Sequence, residues 1–212
     1  MLSEGKPGPL VLQDGAQSAV RLSKDGSVVT IDGHSRYQEA CYRGNLWSLT
    51  NGYAGTTLVA ASAIGQTAWN PAVGVANPTN SGKNLVVIAT IAQILSGTPT
   101  SGGIVLGFVA NPSGITAAGG NAAVNMLTLQ TGGSIARTFT QTAMTGSGAA
   151  IMLLPMPITT FAGAIAASTP IGLQWDLAGM ILVPPGTAFG ISGTLGTATV
   201  VQAGLIWEEI AI

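Results

Sequence analysis

One histidine, His34, and one cysteine, Cys41, stand seven residues apart in the stretch His34-Ser35-Arg36-Tyr37-Gln38-Glu39-Ala40-Cys41-Tyr42-Arg43-Gly44-Asn45. A thiol beside an imidazole is the chemistry of a nucleophile. That chemistry needs the base within hydrogen-bond reach of the thiol. On a strand, an odd spacing sends the two side chains to opposite faces. The expectation is therefore a solvated, charged strand rather than a catalytic pair. With one cysteine, an intramolecular disulfide and a cysteine zinc site are both excluded, and a buried free thiol is expected.

Other chemistry fails in similar ways. A Ser-His-Asp triad would need His34 brought to Asp176, and no Gly-x-Ser-x-Gly is present. Gly82-Lys83 resembles the end of a phosphate loop. However, Asn77 stands where the first glycine belongs, and Asn84 replaces the Ser or Thr that would reach a metal. Lys83 reads as a solvated lysine at a strand start. Glycoside hydrolysis needs two facing carboxylates. Glu208 and Glu209 are adjacent and on a strand would point apart. The sequence implies no enzyme and no cofactor, and no residue takes a catalytic, cofactor-binding or metal role.

The elements that would have to position such groups are mostly uncharged. Of fifteen Asp, Glu, Lys and Arg residues, ten lie in the first 43. From Gly44 to Trp207 only Lys83, Arg137 and Asp176 remain. A free monomer normally keeps a mixed charged surface. Much of this surface is expected to be hidden in a homo-oligomer or a larger assembly. The net charge of −1 argues against nucleic acid as a partner. Residues 149–167 form the most apolar run, but Pro155, Pro157 and Gly163 interrupt it. Strands and loops are expected there, not a membrane span. The first residues, Met1 to Pro7, lack the pattern of a secretory signal.

Three segments follow from this. Residues 1–45 read as an extended docking arm, in which Asp14-Gly15, Asp25-Gly26 and Asp32-Gly33 close short apolar runs. Residues 46–80 read as a connecting region, with a plausible strand at Thr56–Ala60. Residues 81–212 read as an all-β domain, an antiparallel sandwich or barrel. Its strands are expected at Leu85–Leu95, Gly103–Val109, Val124–Gln130, Ser134–Thr140, Ala149–Leu154, Gly172–Asp176, Met180–Val183, Ala188–Ile191 and Ala198–Glu208. Pro184-Pro185-Gly186 predicts a tight turn between two of them. Glu208 and Glu209 are expected to guard a last strand against edge pairing.

The run Asp32 to Ala40 with Arg43-Gly44-Asn45, then Asn77-Pro78 and Ser81-Gly82-Lys83-Asn84-Leu85, resembles structural proteins of tailed bacteriophages. The ending Ile206-Trp207-Glu208-Glu209 is similar too. The resemblance implies a jelly-roll capsid decoration (cement) protein. Such a protein forms a homotrimer on the head and clamps neighbouring major capsid subunits, placing it in the virion. Fibre, spike and baseplate tips share the composition. As such a tip the chain would bind a glycan receptor, with Trp47, Trp69 or Trp175 in an exposed groove. The resemblance implies no active-site residues.

Overall fold

A computed structural model describes residues 37–97, 103–110, 121–145, 147–156, 171–193 and 199–212. The expected strands of the arm up to residue 36, and residues 157–167 of the most apolar run, lie outside the described residues. A short helix, α1 (Gln38–Tyr42), comes first. The strands are β1 (Leu46–Thr50), β2 (Thr56–Thr57), β3 (Ala68–Trp69), β4 (Val73–Asn77), β5 (Lys83–Ser96), β6 (Ile104–Ala110) and β7 (Val124–Asn125). They continue with β8 (Arg137–Phe139), β9 (Met144–Thr145), β10 (Ile151–Pro155), β11 (Ile171–Val183), β12 (Thr187–Gly193) and β13 (Val200–Ala211).

Two antiparallel sheets pack face to face. One has the order β11-β5-β13-β1-β7, with β2 joined to β13; the other has the order β10-β6-β12-β4-β8. Without the short strands β2, β3, β7, β8 and β9, the pairing rule is simple. First pairs with last (β1 with β13), second with next to last (β4 with β12), then β5 with β11 and β6 with β10. This is a long hairpin rolled over on itself, the strand order of a jelly roll. The expected all-β sandwich is therefore the observed architecture.

The core follows the period of a strand. On β13, Val201, Ala203, Leu205 and Trp207 are buried on the inner face, and Gln202, Ile206 and Glu208 between them are half-buried. Trp47 of β1 stands opposite Trp207, and both indoles are in the core. Val73, Val75, Leu106, Phe189 and Ile191 face them from the second sheet.

Residues 46–80, expected as a connection, supply β1 to one sheet and β4 to the other, so the sandwich begins before residue 81. Their runs are short: Leu-Trp-Ser-Leu-Thr, and Val-Gly-Val-Ala-Asn with its small residues. Of Thr56–Ala60 only Thr56–Thr57 is strand. The Gly172–Asp176 and Met180–Val183 runs are one strand interrupted by a bulge. Val124–Gln130 is strand only at its first two residues.

The second sheet carries a layer on its outer face as well. Gly74, Gly190 and Gly107 lie side by side across β4, β12 and β6. A Cβ at Gly107 would stand 2.5 Å from Ile64 Cδ1 and 2.9 Å from Trp69 Cζ2. The missing side chain at Gly107 makes room for Trp69, which clusters with Phe139, Met144 and Ala150, while Gly74 and Gly190 make room for Pro71. The Trp69 indole N–H donates to Ser192 Oγ at 2.8 Å, and the Ser192 hydroxyl donates to the Ser62 carbonyl.

Candidate functional site

Among the described residues, those that could do chemistry are not gathered. Cys41 is half-buried on α1, not on a strand as expected. The segment closes as a helical turn, with Asn45 N–H donating to the Ala40 carbonyl at 3.1 Å and Gly44 N–H to the Cys41 carbonyl at 2.9 Å. His34 lies outside the described residues. Among the described residues, no group of three or more His, Cys, Asp or Glu comes together to hold a metal ion. Within the same limits, no helix is long and apolar enough to cross a membrane.

The densest polar constellation sits at one end of the sandwich. Glu209 follows Trp207 on the inner face of β13, with 1% of its side chain exposed. Its Oε2 accepts from Lys83 Nζ at 3.0 Å, and its Oε1 accepts from Ser134 Oγ at 2.7 Å and Ile135 N at 3.0 Å. A buried carboxylate needs such partners to offset lost hydration. The arrangement closes the core and ties the 134–136 loop to both β5 and β13. Two expectations are corrected here. Lys83 is not merely a solvated strand-start lysine. Glu209 is not an edge guard, because β13 lies inside its sheet between β5 and β1.

A second fastening lies beside it. The buried Asn77 side-chain amide donates to the carbonyls of Lys83 and Val183, both at 2.8 Å. Asn77 belongs to β4 in one sheet, and the two acceptors belong to β5 and β11 in the other. The Gly186 N–H in turn donates to the Asn77 carbonyl at 2.9 Å. One asparagine thus joins the two turns that cross between the sheets.

The tryptophans considered for glycan binding are structural. Trp47 and Trp69 are buried, and the half-buried Trp175 packs against the main core. They form no exposed aromatic groove.

The described residues also expose several large apolar side chains. Strand β10 ends its sheet and leaves Ile151, Met152 and Leu153 in solvent. In β11 the pairing passes from Asp176 opposite Ala89 to Ile181 opposite Val87. The bulge between them contains Ala178 at φ +53° and Gly179 at φ +81°. Asp176 Oδ1 accepts from Ala178 N at 2.9 Å. The bulge holds Met180 outward, 66% exposed, and Leu182 beyond it is 57% exposed.

At the far end of the same sheet, Asn125 organises a tight loop. Its side-chain oxygen accepts from the N–H groups of Leu127 and Thr128 at 3.0 and 3.1 Å, and its amide donates to the Gly44 carbonyl at 2.7 Å. Its backbone carbonyl accepts from Leu129 N–H at 2.9 Å. Leu129 sits at φ +57° with 73% of its surface exposed. The sequence signals for this loop were Asn125 and the Thr131-Gly132-Gly133 turn residues. The apolar run around them read as strand instead.

No protein-family model, no curated protein and no solved structure matches the chain. A fold alone does not decide a function.

Proposed function

We propose that this chain is a structural protein of a tailed-bacteriophage virion, a capsid decoration or cement protein that binds the assembled head shell as a homotrimer. The observation that carries the reading is the character of the surface. Lys83, Arg137 and Asp176 are the only charges between Gly44 and Trp207, and Lys83 is engaged with Glu209. Meanwhile Leu, Ile and Met side chains stay exposed on β10, on the β11 bulge and on the Asn125 loop. Such a surface favours association over a free existence.

The jelly-roll order is compatible with this reading, since viral capsid domains use it, as lectins and cupins do. Binding to the assembled shell alone stabilises that state by mass action, and many modest contacts multiply the effect. The partners are then sister copies and the major capsid protein. The test is quantitative mass spectrometry and immunogold labelling of virions from the phage that encodes the chain. Many copies on the head are expected. Absence from the particle would overturn the reading, and a few copies at the tail would replace it with a host-recognition module.

A further inference from the structure

The chain contains one Asn-Gly pair, Asn51-Gly52, directly after β1. An asparagine amide in this setting is chemically labile. The backbone nitrogen of the following residue attacks the side-chain Cγ, ammonia leaves, and a cyclic succinimide forms. Water then opens the ring at either carbonyl, giving aspartate or isoaspartate. The balance is one water taken up and one ammonia released, with no oxidant, enzyme or cofactor. Glycine at the second position is the fastest case, because no Cβ shields its nitrogen.

The structure holds this reaction still. Asn51 Nδ2 donates to the Val201 carbonyl at 2.8 Å and to Thr56 Oγ1 at 2.9 Å, and Oδ1 accepts from Ala203 N at 2.9 Å. The Asn51 backbone N–H donates to the Ala203 carbonyl at 3.2 Å. The side chain thus continues the β1–β13 ladder past Thr50 and reaches Val201, where β2 takes over the pairing. Ring closure must bring Cγ into bonding distance of Gly52 N and release the amide as ammonia. Both movements break these bonds. Water is close at hand, since Tyr53, two residues on, is 92% exposed.

We infer that Asn51 is a deamidation site gated by the fold, silent while its side chain is bonded to β13 and converted in copies whose β1–β2 turn opens. Local opening of this kind is a property of individual segments and needs no global unfolding. Three ordinary hydrogen bonds correspond to a native rate about a hundredfold below that of the unfolded chain. The conversion runs one way. Aspartate puts a carboxylate oxygen against the Val201 carbonyl where an N–H donor stood, and isoaspartate adds a methylene to the backbone between β1 and Gly52. Neither product restores the donation to Val201. An opening that would otherwise leave no trace is recorded covalently, and the join of β1 and β2 to β13 stays weakened in that copy.

The test is peptide mass mapping of the full chain, incubated in mildly alkaline buffer with and without urea, with fragment sequencing to place the exchange of NH2 for OH. Thr56→Val removes one acceptor of the Asn51 amide and keeps a strand-forming residue. Thr57→Val, at the next position of β2, is the control for general loosening. Conversion at Asn51 is expected to be equally fast in urea for all three chains, and about a hundredfold slower in the native wild type. Native Thr56→Val should convert about fivefold faster than the native wild type, and native Thr57→Val at the wild-type rate. Equal wild-type rates with and without urea would overturn the gating. No conversion at Asn51 in urea would overturn the site. A native rate that Thr56→Val leaves alone, or that Thr57→Val raises as much, would show that the Asn51 hydrogen bonds are not the gate and also overturn the inference.

Discussion

Lys83 Nζ lies 3.0 Å from Glu209 Oε2, so the first residue of β5 neutralises a carboxylate on the inner face of β13. The lysine side chain is 34% exposed and the glutamate 1%, so the partners are unequal. The glutamate cannot recover hydration if its donors are lost, whereas the lysine can turn to water.

Lys83→Met should therefore cost more than Glu209→Ala, because it leaves a buried carboxylate without its cation. Removing Glu209 strands the Ser134 and Ile135 donors and opens the core, a loss of about 2–3 kcal/mol. At roughly 2–4 °C per kcal/mol for a domain of this size, the melting point falls by about 5–10 °C. Glu209→Gln keeps acceptors for both loop donors and should lose less than half as much. Calorimetry on the three variants checks the order. A smaller loss from Lys83→Met than from Glu209→Ala would mean that the loop, not the ion pair, carries the effect.

Asn77 allows a nearly isosteric test. Its amide group is needed as a double donor to the Lys83 and Val183 carbonyls. Asn77→Asp sets carboxylate oxygens against two buried carbonyls, and a loss of about 3 kcal/mol or more is expected. Asn77→Ala, which removes one donor from each carbonyl and leaves the Lys83 carbonyl only Ser81 Oγ beside it, should cost about 2–3 kcal/mol. Chemical denaturation reads both. A stable aspartate variant would show that the amide is not the link between the sheets.

Gly107 should tolerate nothing larger. The Cβ of Gly107→Ala would meet Ile64 Cδ1 and Trp69 Cζ2 inside contact distance, so the outer layer must lift. Overpacking of this kind costs about 1–3 kcal/mol. Trp69 fluorescence should shift to the red as the ring gains water. Gly148→Ala is the control, because its Cβ would meet nothing within 4 Å. If both variants melt alike, the glycine row does not set the packing.

The proposed docking role of the arm has its own test. Deleting residues 1–33 should leave the melting transition of the sandwich in place and abolish binding to phage heads in a co-sedimentation assay. A truncated chain that still decorates particles would sink the role of the arm.

The fold class was legible because it rests on local signals. Pro184-Pro185-Gly186-Thr187 is a turn with Gly186 at φ +80° and a Thr187 N to Pro184 O bond of 3.2 Å, as its residue types require. Its destination was not legible. The turn carries the chain from one sheet to the other, and nothing in four residues specifies that. Leu85–Leu95 announced β5 through its β-branched residues, whereas β4 escaped notice. Gly74 and Ala76 are small because Pro71, Met144 and Trp69 press on that face, and the reason lies in distant residues. The burial of Glu209 was hidden in the same way, since its partners Lys83 and Ser134 come from far earlier in the chain. The Asn125 loop read as strand because an apolar run looks the same whether or not one asparagine folds it into a loop.

The first-with-last pairing also constrains how the protein is made. Strand β13 lies between β5 and β1, with Leu46 opposite Glu208 and Leu85 opposite Glu209. During synthesis β1 and β5 emerge early and wait with their inner edges open. The unit cannot close until Val200–Ala211 has left the ribosome. Such long-range pairing folds slowly and leaves strand edges exposed meanwhile. A chain stalled before β13 would carry most of the apolar core with no central strand to cover it, which makes it a natural client for chaperones.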